Sequence, residues 1–354
     1  MGSVSFGFIV SALLVGGAFG FTLQRGRFCM NTAFRDTIFI KDFTMFRAYL
    51  IALSVMIIGS NILNDMGIIN LQAQTFYPFA NILGGYIFGL GMVMAGGCGS
   101  GIVYRVGEGQ LASWLAWLGF FLGIGMTTHG ILQPVNGWLR GAWQLGPSQM
   151  TLYGLFGGGE VAKWIVIFVL CTIFFLITLK SKPFTPRKQK GFYWSVTGLL
   201  AGLVGVIAFW ASEHWGSPGF ARGLNFTTPT GELFFTLLTG HAKSPVFFPE
   251  YKLGIFTTTW AAIYMVGVPI GSYISAKILK EFIWKVAPAR ELLTVLAGSF
   301  MMGFGAVTGG GCNIGQALTG FSTLSVGSIV ASIFIVFGNW TMVYFKFIKP
   351  MNEM

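Results

Sequence analysis

Long apolar runs separated by short polar or glycine-rich stretches recur along the whole chain. The segment from Trp164 to Leu179, WIVIFVLCTIFFLITL, is almost entirely Ile, Leu, Val and Phe. At about −0.3 to −0.6 kcal/mol per such residue near mid-membrane, it favours insertion by roughly −4 to −7 kcal/mol. The pattern predicts nine helical crossings, at about 4 to 23, 45 to 66, 81 to 104, 111 to 133, 162 to 179, 193 to 211, 253 to 276, 292 to 317 and 326 to 345. The expected fold is therefore an all-α integral membrane protein embedded in a lipid bilayer. The first run, Ser5 to Leu23, has neither a basic stretch before it nor a small-residue cleavage site after it, so it is read as a retained helix and not a signal peptide.

Composition agrees with a membrane class. Of 354 residues, 54% are hydrophobic and 9% charged, against about 25% charged in an ordinary soluble domain. The net charge of +11 would suggest nucleic acid in a soluble protein, but the basic residues cluster between the apolar runs, where they set orientation. Nucleic acid is thereby excluded as a partner. Three connections are heavily basic: Arg25 to Arg47, Lys180 to Lys190, and Lys277 to Arg290. With the amino terminus outside, strict alternation puts all three on the cytoplasmic side with Arg105, Lys346 and Lys349. Only Arg140, Lys163, Arg222, Lys243 and Lys252 are left on the other.

The chain also repeats itself. GGYIFGLGMVMAGGCGSG at 84–101 aligns without a gap with GSFMMGFGAVTGGGCNIG at 298–315, six glycines coincide, and Cys98 falls on Cys312. A weaker echo relates GFTLQRGRFCM at 20–30 to GFARGLNFT at 219–227, with Phe226 at the position of Cys29. The expected organisation is one membrane domain over 1–354, with a first repeat at 1–179, a basic proline-bearing cytoplasmic linker at 180–191 and a second repeat at 192–354. Five crossings before the linker is an odd number, so the halves insert with opposite orientation. In inverted-repeat folds substrate sites lie near mid-membrane where broken helices meet, and glycine inside an apolar run points to the breaks. Irregular backbone at that depth must be buried in protein or line a polar cavity. The Gly-Cys segments are thus expected to form re-entrant or unwound turns meeting at a central waist.

Among the four cysteines, Cys171 sits in FVLCTIFF without glycine beside it and reads as a small apolar filler. Cys98 and Cys312 also fit a tight helix crossing, yet Ala or Ser would pack equally well, and the same residue recurs in both halves. Cys29 follows RGR and precedes MNTAFRD, in a cytoplasmic-side loop that can dip into the membrane. No histidine stands near these motifs to act as base, and burial away from charge keeps a thiol protonated, which favours a hydrogen-bond donor over a nucleophile. A Cys98–Cys312 disulfide stays open, since only distance decides it. Ser100, Asn313 and Gln316 can add polar contacts, and Gly97, Gly99 and Gly311 let backbone approach a ligand closely. No CxxC pair and no His/Cys spacing suggests a metal site, and no cofactor is indicated. No charged residue lies in the middle of a predicted crossing. Arg105 and Glu108 read as a structural ion pair, and the Asn225-Phe226-Thr227 sequon as a chance match.

These motifs (QRGRFCMNTAFRD, GGYIFGLGMVMAGGCGSGIVYRVGEG, MMGFGAVTGGGCNIGQALTG and the terminal GNWTM) resemble the YeeE/YedE family of membrane proteins, the sulfur-transport family of TsuA-type thiosulfate transporters. The resemblance covers nearly the whole chain. It implies uptake of thiosulfate through the bacterial inner membrane, with Cys29, Cys98 and Cys312 handing the anion inward through S–H···S contacts. Gly97, Gly99, Gly311 and Asn313 join them as candidate substrate contacts. It also implies a TusA-like cytoplasmic sulfur carrier as partner, and some relatives are linked to selenium instead. A membrane sulfurtransferase or thiol redox enzyme, forming persulfide or disulfide on Cys98, is the alternative class.

Overall fold

The computed structural model describes residues 5–142, 149–180, 191–243 and 248–353. Helix α1 (Phe6–Gly26) opens on Ser5, whose hydroxyl accepts the Phe8 N–H, and ends at Arg27 in the left-handed conformation (φ 52°). The chain then runs through α2 (Met30–Phe39), α3 (Thr44–Asp65), α4 (Pro78–Met94), α5 (Gly99–Gly107), α6 (Leu111–Thr128), α7 (Gln133–Gly141) and α8 (Glu160–Leu179). After the segment around the expected linker, of which 181–190 lie outside the described residues, come α9 (Trp194–Ala211) and α10 (Thr227–Thr239). A hairpin of β1 (Tyr251–Leu253) and β2 (Phe256–Thr258), α11 (Trp260–Ile278), α12 (Ala289–Thr308) and α13 (Val326–Val343) complete the fold.

Among the described residues, nine helical stretches are long and apolar enough to cross a membrane, and the sole sheet is that hairpin. The protein is an all-α integral membrane protein. The stretch Phe6–Phe39, at 34 residues, exceeds the roughly 20 residues a bilayer core takes. The bend at Arg27 divides it into the crossing α1 and the short α2.

Helix pairing follows a regular pattern. Helix α1 packs on α11 and α3 on α9; α4 packs on α13 and α12 on α6; α1 also meets α9, and α4 meets α12. In lipid there is no hydrophobic drive between helices, so close backbone contact must hold them, and small residues make it possible. A Cβ at Gly20 would stand 1.9 Å from the Val268 carbonyl oxygen, and one at Gly84 2.3 Å from the backbone nitrogen of Gly309. The glycines at these crossings are therefore a packing requirement.

Helix α8 has a different character. Val161, Ile165, Phe168, Phe175 and Leu176 on it are exposed, as suits a lipid-facing surface. It packs mainly on α3, and Cys171 lies on it half-buried.

Two differences from the sequence expectations stand out. The stretch between 211 and 253 is not simply a connection, because it contains the 13-residue helix α10, at about 1.5 Å per residue only about two-thirds of a bilayer core long. That helix carries Glu232, 2% exposed, which pairs with Arg222 (Nη2 to Oε1 2.9 Å) and accepts the Thr259 hydroxyl. Buried charge thus exists in the domain, on an element too short to register as a crossing.

Candidate functional site

Two helices break at glycine, and the two breaks share their geometry. Helix α4 ends at Met94; Gly96 takes a left-handed φ of 72°, and the chain restarts as α5 after Cys98. Helix α12 ends at Thr308, Gly310 takes a φ of 84°, and a π-helical turn, Ile314–Gly320, starts two residues after Cys312. That φ is costly for any residue with a Cβ. The carbonyl of Gly309, left without a helical partner, accepts the side-chain amides of Asn81 (2.8 Å) and Gln316 (2.6 Å). The unwound backbone is thereby satisfied inside the protein, as irregular backbone in a membrane domain must be where lipid surrounds it.

Each thiol closes the start of the element that follows it. The Gly101 N–H donates to Cys98 Sγ at 3.3 Å, and the Gly315 N–H donates to Cys312 Sγ at 3.4 Å. The sulfur stands where a Ser or Asp oxygen would stand in an ordinary N-cap. Because the bond uses a sulfur lone pair, the S–H proton stays available as a donor.

The short helices α2 and α10 bring further groups to the same place. Cys29 precedes α2 and Phe226 precedes α10, both buried. The Cys29 and Cys98 sulfurs lie 3.6 Å apart, and Cys98 Sγ lies 3.3 Å from the Ser100 hydroxyl. A Cβ added to Gly99 would stand 3.4 Å from Phe226 Cβ and 3.8 Å from Cys312 Cβ. Cys312 donates to Asn225 Oδ1 at 3.6 Å. Cys29, Cys98 and the Cys312 segment therefore form one contiguous run across the centre, and all are free thiols. Asn313 is fully buried with both amide atoms unpartnered, as is Gln316 Oε1. Such groups are rare in folded proteins and call for an explanation such as a ligand or water. Gly97 lies against the Arg105 guanidinium, and Gly311 against the Gln316 side chain.

Cavities approach this run from opposite ends of α6, which at 18 residues is about 27 Å long. At its start is a space of about 540 Å³ lined by Arg27, Thr32, Tyr104, Arg105, Glu108, Gln110 and Lys285. At its end is one of about 390 Å³ whose polar lining includes His129, Asn136, Arg140, Thr227 and Lys243. Burial pushes the Arg140 guanidinium down from its ordinary value, but a guanidinium starts so high that it keeps its charge at neutral pH.

The expected Arg105–Glu108 pair does not form. Arg27 reaches Glu108 at 2.8 Å and Glu281 at 2.6 Å, while Arg105 turns back to the Gly96 carbonyl at 2.6 Å. Glu108 follows the end of α5, beside the end of α1, so its partner comes from 81 residues away. The sequence reading also missed Asn225 and Arg140 as site residues. The single hint for Asn225 was its place beside Phe226 in the weaker repeat.

Residues 25–341 match a family described as Sulphur transport. The chain belongs to that family. It is 34% identical over 96% of its length to a thiosulfate transporter, TsuA, of Spirochaeta thermophila, covering 99% of that relative. It is 31% identical over 98% of its length to the Escherichia coli protein of the same name, covering 97% of it. A probable transporter, YedE, of Escherichia coli is 34% identical over 32% of this chain. Family membership makes this a membrane protein of sulfur transport and not an enzyme, so the sulfurtransferase alternative falls away.

Proposed function

We propose that the chain takes up thiosulfate, or a closely related sulfur oxyanion, into the cytoplasm, with Cys312, Cys98 and Cys29 contacting it in that order. The observation that carries this reading is the contiguous run of three buried, unbridged thiols, two of them 3.6 Å apart, between cavities at opposite ends of α6.

The chemistry supports the reading. A dianion taken bare into a low-dielectric core would cost tens of kcal/mol, on the order of the Born penalty, so donors must meet it along its path. Polarizable thiols suit the terminal sulfur. Backbone N–H groups at the starts of α2, α5 and α10, unpaired within their helices, suit the sulfonate oxygens. Asn313 offers an unpartnered amide beside Cys312. Weak successive contacts allow release as well as entry.

The proposed frame is an inverted repeat in which α1–α6 exchange with α9–α13. Its support is the pairing pattern: exchanging α1 with α9, α3 with α11, α4 with α12 and α6 with α13 turns each packed pair into another packed pair. Helix α8 then lies outside the repeat, which narrows the first unit from the 1–179 expected. The distribution of basic residues supports an inner membrane orientation with the amino terminus outside and the Arg27–Lys285 cavity cytoplasmic. A TusA-like carrier would collect the sulfur at that cytoplasmic mouth. Immobilised purified transporter retaining such a carrier, and losing it when the cytoplasmic mouth is charge-reversed, would support this partner.

Labelled thiosulfate uptake by cells carrying Cys29→Ala, Cys98→Ala, Cys312→Ala and Cys171→Ala tests the reading. The first three variants lose uptake and the last keeps it. Undiminished uptake in all four removes the thiol path.

A further inference from the structure

We infer that Asn225 is a positioning residue for Cys312, supplying in the second half the sulfur-facing group that Cys29 supplies in the first. The inference rests on the thiol path proposed above and assigns a new residue to it.

The two breaks share two contacts to the cysteine sulfur and differ in what makes the second; Cys98 also has a hydroxyl, that of Ser100, at 3.3 Å. In each, the cysteine sulfur accepts the backbone N–H three residues on, at 3.3 Å for Cys98 and 3.4 Å for Cys312. In each, a second group lies 3.6 Å from that sulfur: Cys29 Sγ beside Cys98, and Asn225 Oδ1 beside Cys312. Cys29 immediately precedes α2, but the residue immediately preceding α10 is Phe226, which has no polar atom to offer. Asn225, one residue earlier, fills the role.

Its side chain is well held for this. Oδ1 also accepts the Thr227 N–H at 2.9 Å, and Nδ2 donates to the Thr228 hydroxyl at 3.4 Å. These bonds fix which amide atom faces the sulfur, because only oxygen can accept from a backbone N–H. Gly315 leaves the space the amide occupies: a Cβ there would stand 2.8 Å from Asn225 Oδ1. The sulfur of Cys312 thus accepts from Gly315 and is directed as a donor toward Asn225.

The functional consequence is a difference between the two thiol stations. Beside Cys98 the neighbour is another soft thiol, able to accept or donate. Beside Cys312 the neighbour is a hard carbonyl oxygen, an acceptor only. It holds the Cys312 side chain in one direction, and because the thiol has a single proton, an arriving anion must draw the S–H away from Oδ1 to be met by it. Asn225 therefore acts through Cys312 and sets how readily that thiol is recruited.

Two substitutions separate this from a purely structural role. Asn225→Ser keeps a short acceptor for the Thr227 N–H but does not reach the sulfur. Asn225→Asp keeps the oxygen that accepts both contacts, replaces the amide donor to Thr228 and adds a charge. The S–H stretching band of Cys312, identified in purified protein as the component lost in Cys312→Ser, reads the contact directly. The band moves to higher frequency in Asn225→Ser and to lower frequency in Asn225→Asp. In uptake, the half-saturation concentration for thiosulfate rises about three- to tenfold in Asn225→Ser, the size expected for one neutral hydrogen bond, with the maximal rate largely kept. It rises further in Asn225→Asp. An unmoved band in Asn225→Ser overturns the inference, and so does a moved band with unchanged uptake. A moved band together with full uptake by Cys312→Ser overturns the thiol path itself while leaving the contact standing.

Discussion

Replacing Gly101 by alanine places one methyl group between the two closest thiols. The added Cβ would stand 2.6 Å from Cys29 Sγ and 3.3 Å from Cys98 Sγ, where carbon contacts are normally about 3.5–4.0 Å. Gly101 is the third residue of α5, so its backbone cannot yield without unwinding that helix, and the Cys29 side chain must move by about 1 Å. Overpacking of this kind costs about 1–3 kcal/mol, while alanine in a helix recovers about 0.5–1 kcal/mol. The net loss, about 0–2.5 kcal/mol on those two ranges, leaves a folded protein. Transport is expected to suffer far more than stability, because an error of about 1 Å at a reacting or transferring contact can cost on the order of a hundredfold. Reconstituted vesicles loaded with labelled thiosulfate measure the rate, and thermal unfolding in detergent measures the fold. A uniform tenfold or greater loss of rate with a folded protein is the expected result. Wild-type rate and half-saturation in Gly101→Ala would refute the claim that the space between Cys29 and Cys98 belongs to the path.

Other substitutions probe the frame around the site. Gly84→Ala puts a Cβ 2.3 Å from the Gly309 nitrogen and 2.7 Å from its Cα; since backbone cannot swing aside, size-exclusion chromatography should show misfolded protein, whereas Gly137→Ala, with nothing within 4 Å, elutes as the parent. Arg222→Met takes the Arg222 cation from Glu232, whose side chain is 2% exposed, and should cost about 3–5 kcal/mol; adding Glu232→Leu recovers a large part of it in thermal unfolding. Arg27→Ala leaves Glu108 and Glu281 without their shared cation; because Arg27 is one-third exposed, a loss of about 1–2 kcal/mol is expected, read as increased protease access at the Arg27–Lys285 cavity. Asn81→Ala removes one donor to the Gly309 carbonyl and the acceptor for the Tyr77 N–H, and thermal unfolding should register about 1–3 kcal/mol.

The sequence by itself determined the class of solvent, the crossings and the place of the breaks. Twenty or so apolar residues in a row have few stable environments besides a bilayer, so runs such as Trp164–Leu179 declare themselves without any partner. Glycines inside an apolar run are equally legible, since backbone freed from helix must be tolerated where they cluster, as before Cys98 and Cys312. The repeated cysteine was visible because a one-to-one alignment needs no geometry.

What only the tertiary structure decided were matters of neighbourhood. Helix α10 went unread because its 13 residues fall short of the roughly 20 by which crossings are recognised, and its charge, Glu232, went with it. The pairing of Glu108 with Arg27 instead of Arg105 depended on α1 and α5 ending side by side, a contact across 81 residues that no local spacing encodes. The placement of Cys29 against Cys98, and of Asn225 against Cys312, has the same origin. A thiol carries no sequence mark of what it faces, because its partner is chosen by how two half-helices, distant along the chain, are brought start to start at the centre of the fold.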